Sequence, residues 1–421
     1  MKELNYDIVI IGGGPAGLSA ALEAKRNGIK NVLICERSSC LGGILEQCIH
    51  NGFGLQYFKE ELTGPEYADR FITKVNKNDI DVKLNTMVID LLDDKEIIAV
   101  NSTDGLFKVK TKAVILAMGC RERTRGALTI PGDRPSGIMT AGKAQRYVNI
   151  EGFLCGKEVV ILGSGDIGLI MARRLTLEGV NVKGVLEIMP YSTGLVRNKV
   201  QCLDDYNIPL YLNHTVTYIH GKERLEGITV AKVDENLNPI EGTEKYVKCD
   251  TLLLSVGLIP ENELTRKLDV EFDNATKGAK VNEKRETKVS WVFACGNVLH
   301  VHDLVDNVTM EGEIAGKSAA DYINNNLKVR NKKIKVSHGK NIGYVVPQFI
   351  EYEQDSKDSI KLYMRVKYPD KNVSIVVKDN NDRKLSSLKK EIVTPGSMIT
   401  VTLPARLFSK DMDQIDVSMG K

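Results

Sequence analysis

An internal repeat constrains this chain more than any other feature of its sequence. Residues 7–18 form an apolar run followed by Gly-x-Gly-x-x-Gly, and residues 158–169 repeat this pattern 151 positions later. In both copies an amphipathic stretch follows, and then a second apolar run that ends in an acid, Glu36 or Glu187. The interval from the first glycine to the acid is 24 residues in each copy (36 − 12 and 187 − 163). The sequence therefore predicts two strand–turn–helix–strand units.

The residue types at these positions suit a dinucleotide. The first glycine allows the tight turn from strand to helix, the second lets the backbone approach a pyrophosphate, and the third lets helix and strand pack closely. The pyrophosphate lies at the positive end of the helix, and the acid accepts hydrogen bonds from ribose hydroxyls. Two chance glycine turns are the alternative, but strand, turn, helix and acid agree in both copies. The pattern predicts two dinucleotide sites, with Gly12, Gly14, Gly17 and Glu36 in the first and Gly163, Gly165, Gly168 and Glu187 in the second.

Length and composition exclude several other classes of protein. A chain of 421 residues predicts two to three domains, and its 42% apolar and 27% charged residues are typical of a globular protein. The net charge, 58 − 55 = +3, is too balanced for a nucleic-acid-binding face. No apolar run approaches the roughly 20 residues of a membrane-spanning helix. The apolar run before Gly12 is typical of a strand rather than of a signal peptide.

The cysteines indicate a reducing compartment. There are eight, at positions 35, 40, 48, 120, 155, 202, 249 and 295, with no Cys-x-x-Cys pair and no zinc spacing. We therefore expect a cytoplasmic protein without a disulfide framework, a metal site or an iron–sulfur cluster.

Three further motifs accompany the repeat. Leu41–Gly43 contains a glycine pair, residues 111–119 form an apolar run that ends in glycine, and residues 287–297 form another that ends in Gly296 and Asn297. With both fingerprints, these motifs make the chain resemble the flavoprotein superfamily that includes thioredoxin reductase, glutathione reductase and NADH oxidases. In that superfamily the N-terminal fold holds FAD and an inserted fold holds NAD(P)H. The chain departs from the family pattern at Asn297, where an acid binds the ribityl chain of the flavin, although an amide also accepts and donates hydrogen bonds.

The resemblance implies an α/β fold with two nested Rossmann-like dinucleotide-binding domains of the three-layer ββα type. It assigns residues 1–125 and 259–326 to a discontinuous FAD-binding domain and residues 126–258 to an NAD(H)-binding domain. Residues 82–109 should form short strands. Residues 304–326 should form a helix whose N-terminal amides, near Val308, face the flavin and stabilise charge on its reduced form.

The resemblance also implies which residues bind the cofactors, FAD and NAD(H). Because Glu187 favours a ribose without a 2′-phosphate and residues 188–192 contain no Arg or Lys, we expect NADH rather than NADPH. The implied FAD-binding residues are Gly12, Gly14, Pro15, Ala16, Gly17, Glu36, Arg37, Gly42, Gly43, Val88, Gly119, Gly296, Asn297 and Val308, and the implied NAD-binding residues are Gly163, Gly165, Asp166, Ile167, Gly168, Glu187 and Gly257.

Disulfide reductases of this superfamily need two thiols within reach of the flavin, and neither of their known patterns is present in the sequence. Cys40 and Cys48 are an open alternative as a redox pair. Cys48, close to His50 on the loop and helix expected after Glu36, has two interpretations. It is either a redox-cycling thiol, as in NADH peroxidases and oxidases, or a small buried apolar residue.

Two histidines follow Asn297 and should therefore lie near the flavin. With Cys48, His302 is a candidate catalytic residue, as a proton donor or charge partner for the reduced flavin. For His302 and His300 alike, the alternative is a structural hydrogen bond within the loop. A metal site formed by the two histidines and Asp303 lacks a further ligand.

Residues 43–67 and 135–145 resemble a narrower group of FAD/NAD oxidoreductase subunits. These subunits are associated with glycerol-3-phosphate dehydrogenase and with opine-, sarcosine- and proline-oxidising flavoprotein complexes. They pass electrons between NAD and a second flavoprotein that oxidises the substrate. The resemblance thus implies an FAD-dependent NAD(H) oxidoreductase with such a partner, in a homo- or hetero-oligomer. The alternatives are a stand-alone NADH oxidase or peroxidase that uses oxygen or Cys48, and a non-catalytic nucleotide-binding scaffold.

The C-terminal part of the sequence has a different pattern. Residues 327–337 are polar and basic and predict a linker. Residues 338–421 contain runs that alternate with period two and predict a small all-β, sandwich-like domain. Because no catalytic cluster stands out there, we expect a docking or dimerisation role, and we expect FAD binding to survive removal of the domain.

Overall fold

The computed structural model describes residues 1–325, 332–352 and 358–420. The chain divides into two compact units, one formed by residues 1–120 and 260–421 and the other by residues 121–259. Within the described residues, no helix is long and apolar enough to cross a bilayer.

The first unit begins with a strand, a helix and a second strand, as the first fingerprint predicts. Pro15 stands at the first position of the first helix, where its missing N–H costs nothing. The short strands predicted over 82–109 are confirmed. The elements are β1 (Lys2–Ile11), α1 (Pro15–Arg26), β2 (Val32–Cys35), β3 (Asn51–Phe53), β4 (Leu62–Thr63), α2 (Gly64–Lys77), β5 (Asp81–Lys83), β6 (Met87–Leu92), β7 (Glu96–Asn101) and β8 (Gly105–Leu116).

The main sheet of this unit has a parallel part and an antiparallel part. Its strands run in the order β5-β2-β1-β8-β7-β6, and the later strand Val292–Ala294 also pairs with β8. Helices α1 and α2 cover one face, where Leu18 and Phe71 are buried. The antiparallel part covers the opposite face of the parallel part, and residues such as Phe107 are buried there. This layering confirms the ββα arrangement.

The second unit repeats this plan. A parallel sheet in the order β10-β17-β11-β12-β13 carries helices on one face and an antiparallel sheet, β14-β15-β16, on the other. Its elements are β9 (Cys120–Glu122), α3 (Arg125–Leu128), β10 (Ile138–Thr140), α4 (Ala141–Asn149), β11 (Glu158–Leu162), α5 (Asp166–Leu177), β12 (Asn181–Glu187), α6 (Val196–Cys202), β13 (Leu210–Leu212), β14 (His214–His220), β15 (Gly227–Lys232), β16 (Lys245–Lys248), β17 (Thr251–Leu254) and β18 (Leu258–Pro260).

The chain then returns to the first unit and ends in a β module, which we define as the strands from residue 332 onward. Two sheets, β22-β20-β27-β24-β25 and β21-β23-β26, enclose an apolar core that includes Ile334, Leu362 and Val401, and the predicted sandwich is confirmed. The elements are β19 (Val292–Ala294), α7 (Val305–Ile323), β20 (Lys332–His338), β21 (Ile342–Val346), β22 (Phe349–Tyr352), β23 (Ile360–Val366), β24 (Asp370–Asp379), β25 (Lys384–Val393), β26 (Ile399–Leu403) and β27 (Gln414–Gly420).

The linker predicted over 327–337 is wrong for residues 332–337, which belong to β20. Ile334 and Val336 are buried, whereas Lys333 and Lys335 are exposed, so these lysines occupy the solvent side of a strand. Residues 327–331 lie outside the described residues.

The β module also packs closely against the rest of the first unit. Arg365 donates to the carbonyl of Val301 at 3.2 Å, and the N–H of Met398 donates to Oδ2 of Asp303 at 2.9 Å. Val346 belongs to the core of the main sheet. These contacts make the module part of the packing of this unit, so its removal should also disturb the residues that it contacts.

Candidate functional site

Both fingerprints form the tight turn that their spacing predicts. Gly12 and Gly163 have φ angles of 110° and 97°. A Cβ at these positions would lie 2.4 Å and 2.1 Å from backbone carbonyl oxygens, so only glycine fits. The third glycines allow close packing, because a Cβ on Gly17 would lie 1.9 Å from a carbonyl oxygen and one on Gly168 would lie 2.7 Å from the Cβ of Ser255.

The second glycine of each fingerprint is not required by the backbone conformation. Gly14 (φ −80°, ψ −174°) and Gly165 (φ −64°, ψ 158°) have backbone angles that any residue adopts. A Cβ on Gly14 would meet nothing closer than the Cα of Gly43 at 4.0 Å. The fold therefore does not require glycine at position 14, whereas a pyrophosphate against the backbone does. This open cradle at a helix N-terminus fits a dinucleotide.

The two acids make matching contacts. Glu36 accepts hydrogen bonds from the N–H groups of Gly13 at 2.7 Å and Ser38 at 2.7 Å. Glu187 accepts from the N–H groups of Ser164 at 3.0 Å and Met189 at 2.9 Å. In each copy one contact goes to the glycine loop and one to the residue two positions after the acid.

Hydroxyl groups add to these contacts in the second copy. Glu187 also accepts from Oγ of Ser164 at 2.5 Å and from Oγ1 of Thr193 at 3.1 Å. Both acids are buried, at 6% and 3% exposure, so each fixes its loop and presents a carboxylate beside the cradle.

The other motifs of the first unit lie beside the first cradle. The N–H of Gly42 donates to the carbonyl of Gly13 at 2.9 Å, and Gly43 packs on Gly14. A Cβ on Gly296 would lie 2.9 Å from Ala16 and 3.2 Å from Val308, which brings the third motif against the starts of α1 and α7.

Three further predicted FAD-binding residues differ in what they offer to a ligand. Arg37 is exposed. Val88 is 3% exposed, and its side chain packs in the core on the face of the sheet away from α1, so only its backbone is available to a ligand. Gly119 has a φ of 70° and open space around its Cα.

Asp166 stabilises a loop at the second cradle. Its Oδ1 accepts from the N–H of Leu195 at 2.8 Å and from the amide of Asn198 at 2.7 Å. Ile167 is partly buried in the first turn of α5, and Gly257 has a φ of 99° with open space around it.

Comparison with known proteins identifies the family of this chain. Residues 6–312 match the model of the pyridine nucleotide-disulphide oxidoreductases. The chain belongs to this family. Proteins of this family are oxidoreductases that bind FAD and NAD(P)H, so the expected enzyme class and both cofactors are confirmed at this level.

Individual relatives differ in how much of their length the chain matches. Thioredoxin reductase of Bacillus subtilis is 26% identical over 76% of this chain and 96% of its own length. Hydrogen cyanide synthase subunit HcnB of Pseudomonas protegens is 26% identical over 70% of this chain and 66% of its own length. NADH dehydrogenase of B. subtilis is 29% identical over 69% of this chain, and only 53% of that relative is matched.

Solved structures confirm the fold. Thioredoxin reductase of T. acidophilum superposes with a TM-score of 0.61 at 24% identity, over 75% of this chain and 98% of that one. L-proline dehydrogenase of P. horikoshii superposes with a TM-score of 0.52 at 19% identity, over 75% of this chain and 55% of that one.

Within this family fold, Cys48 does not occupy the predicted helix. It follows a 3-10 turn over Gly43–Gln47, and its Sγ donates to the carbonyl of Ile44 at 3.2 Å. Burial raises the pKa of Cys48 to about 12. Because the thiolate is the reactive form, this environment favours the interpretation of Cys48 as a structural residue.

Replacing Cys48 with Ser should therefore have little effect on flavin reduction. We expect the rate of NADH-driven bleaching to stay within about tenfold of normal, a barrier change of about 1.4 kcal/mol or less. Stopped-flow absorbance of the anaerobic protein measures this rate. A larger loss in the Cys48→Ser variant, with FAD content unchanged, would show that the thiol takes part.

The two histidines form a buried cluster with residues that the sequence analysis did not select. Nε2 of His300 lies 3.3 Å from Oε1 of Glu311, and Nε2 of His302 lies 3.1 Å from Oε2. Nε of Arg285 donates to Oε1 at 2.8 Å. The N–H of His302 also donates to Oδ1 of Asn297 at 3.0 Å. We call these four residues, Arg285, His300, His302 and Glu311, the Glu311 cluster.

Burial and neighbouring charges shift the pKa values of His300 and Glu311. Burial and the neighbouring His302 lower the pKa of His300 to about 4, so its imidazole is neutral at physiological pH. Although burial alone raises the pKa of Glu311, the charge of Arg285 holds it well below its usual range. For Glu311 the available sequence signal was its spacing of four and eight residues from Ala315 and Ala319, which places an acid on the buried stripe of α7.

Proposed function

We propose that this protein is an FAD-dependent NADH oxidoreductase in which the first cradle holds FAD and the second holds NADH. The observation that carries the proposal is the duplicated cradle, with a second glycine of ordinary backbone conformation in each copy and matching carboxylate contacts at Glu36 and Glu187. When bound, the two cofactors supply the hydride exchange between nicotinamide and flavin.

The residues of the chain would bind and orient the two cofactors. The amides at the starts of α1 and α5 receive the two pyrophosphates, and Glu36 and Glu187 receive ribose hydroxyls. Asn297, whose side chain is held by His302, occupies the position that binds the ribityl chain in the family pattern. The N-terminus of α7 provides a positive end near Val308 that favours negative charge on the flavin.

We further propose that electrons pass to a second flavoprotein that oxidises its own substrate, as in glycerol-3-phosphate dehydrogenase-like assemblies. Two kinds of relative are named as parts of larger enzymes, HcnB of hydrogen cyanide synthase and a component of the alkyl hydroperoxide reductase of Staphylococcus aureus. The high pKa of Cys48 disfavours this thiol as the next electron carrier.

NADH should be preferred over NADPH because of Glu187. A Glu187→Gln variant keeps the shape and removes the charge that repels a 2′-phosphate, so we expect the NADH preference to narrow by about tenfold, or about 1.4 kcal/mol. The ratio of flavin-reduction rates with the two coenzymes measures this. Glu36→Gln, assayed with excess FAD, is the matched control because it should leave that ratio unchanged. Equal rates with both coenzymes in the unmodified protein would contradict the assignment.

The experiment that tests the function follows the visible spectrum of the purified holoprotein under anaerobic conditions. NADH is added, and the bleached protein is then mixed with either oxygen or the co-purified partner flavoprotein. The proposal expects bleaching, slow recovery with oxygen and fast recovery with the partner. Fast turnover with oxygen alone would indicate a stand-alone oxidase, and failure to bleach would indicate a nucleotide-binding protein without catalysis.

A further inference from the structure

Glu311 is a fully buried carboxylate of the first unit. It lies on α7 with 0% of its surface exposed and accepts four hydrogen bonds. Arg285 at 2.8 Å and His300 at 3.3 Å share Oε1, while the N–H of Gly296 at 2.7 Å and His302 at 3.1 Å share Oε2. The carboxylate therefore has all of its lone-pair positions occupied.

This arrangement does not fit a bound metal ion. Ligand atoms of His300, His302 and Glu311 lie within 4.8 Å of one another. However, the guanidinium of Arg285 already neutralises the carboxylate, and both imidazoles direct Nε2 at carboxylate oxygens, so each donates there. The cluster is a hydrogen-bonding centre built around one anion.

One oxygen of Glu311 fixes both ends of the segment that carries Asn297. Oε2 accepts from the N–H of Gly296 directly before Asn297 and from the ring of His302 after it. The N–H of His302 in turn donates to Oδ1 of Asn297 at 3.0 Å, and Nδ2 of Asn297 contacts Sγ of Cys120 at 3.6 Å. Glu311 thus restrains the orientation of the Asn297 amide in two ways, through the backbone of Gly296 and through His302.

The β module closes the cluster from the other side. Tyr363 is 0% exposed, and its ring centroid lies 5.7 Å from that of His300 and 5.6 Å from that of His302. The guanidinium carbon of Arg285 lies 5.7 Å from the same ring. Because aromatic rings and a low local dielectric strengthen buried charge interactions, the module makes the Glu311 cluster a stiff anchor.

We propose that Glu311 is a positioning residue of the flavin site, which sets the Asn297 amide against the flavin, and that the β module seals this anchor. The inference rests on the proposed placement of FAD in the first cradle. It assigns to the β module a function within its own chain, and it explains how an amide replaces the usual acid at position 297. An amide must be held in one orientation, whereas a carboxylate presents the same acceptor on both sides.

The test compares Glu311→Gln with Glu313→Gln. Glutamine at 311 keeps one side-chain oxygen, and the charged Arg285 should attract it. The NH₂ group of the glutamine would then face the N–H of Gly296 and the ring of His302. Because that group cannot accept their hydrogen bonds, the segment that carries Asn297 would be released. Glu313, two residues along α7, contacts Tyr57 instead and serves as the control. The readouts are the Kd of the folded apoprotein for FAD, the flavin midpoint potential and the unfolding temperature of the apoprotein.

We expect Glu311→Gln to weaken FAD binding at least tenfold and to shift the midpoint potential, with Glu313→Gln close to the unmodified protein. A lower unfolding temperature with an unchanged Kd and potential would overturn the inference, because it would show a purely structural role. If Glu311→Gln does not fold, the same three measurements on His302→Gln test the inference. This variant keeps the ion pair of Arg285 with Glu311.

The two proposals fail separately. An unmodified protein that binds FAD but is not bleached by NADH contradicts the proposed function alone. Variants that match the unmodified protein in both Kd and potential contradict the positioning role alone. An unmodified protein that takes up no FAD overturns both.

Discussion

Replacing Gly14 with Asp is expected to give a folded protein that no longer retains FAD. The backbone of Gly14 suits any residue, a Cβ there has open space, and Asp is a favourable N-cap for α1. The new carboxylate would occupy the position proposed for the pyrophosphate and repel it. We expect FAD affinity to fall at least about a hundredfold, or about 2.7 kcal/mol.

Gly165→Asp is the corresponding variant in the second fold, where a new Cβ would lie 3.2 Å from Oγ of Ser255. It should bind FAD normally and be bleached by dithionite, but its bleaching by NADH should need far higher coenzyme concentrations. Equilibrium binding of FAD to each apoprotein and NADH titration of each holoprotein measure the two effects. The assignment of the cradles fails if Gly14→Asp retains FAD, or if Gly165→Asp loses FAD and keeps its affinity for NADH.

Removal of the β module, residues 332–421, is expected to cause loss of FAD and aggregation. The truncation would expose the ion pair of Arg285 with Glu311, whose side chains are 1% and 0% exposed, and would leave the 301–303 segment without its contacts to Arg365 and Met398. Breaking such buried contacts costs several kcal/mol. Size-exclusion chromatography and the ratio of flavin to protein measure the outcome.

Point variants of the full chain provide the control for this truncation. Tyr363→Ala should reproduce part of the FAD loss because Tyr363 is fully buried against the Glu311 cluster. Tyr368→Ala, in the same module but 64% exposed, should not. A truncated protein that stays monodisperse with a full complement of FAD would contradict this expectation and support the docking role expected from the sequence.

Local sequence patterns were sufficient to predict the cradles. The turn glycines, the helix that follows and the acid after the second strand are determined by residues within 24 positions of one another. The same local reasoning predicted the short strands over 82–109 and the sandwich. These features depend on backbone geometry and alternation, which a single sequence displays directly.

The Glu311 cluster could not be predicted in this way. Its members come from separate segments, and the aromatic ring that closes it, Tyr363, alternates like any core residue of a strand. The charge of the lysines in β20 predicted a solvated linker. The alternation of these lysines with Ile334 and Val336 instead indicates a strand, and this pattern was given too little weight. The helix expected at Cys48 is a 3-10 turn that ends just before it. Each of these errors concerns tertiary packing, which decides what a locally ambiguous segment does.

The most direct measurement for the central claim is an anaerobic titration of the FAD-loaded protein with NADH, followed by the flavin absorbance. Hydride transfer to a flavin without a protein dithiol predicts complete bleaching by one NADH, two electrons, per flavin. A requirement for four electrons per flavin would reveal a redox disulfide, for which Cys40 and Cys48 are the candidates, and contradict the interpretation of Cys48 as a structural residue. A flavin that NADH leaves oxidised would contradict the proposed activity itself.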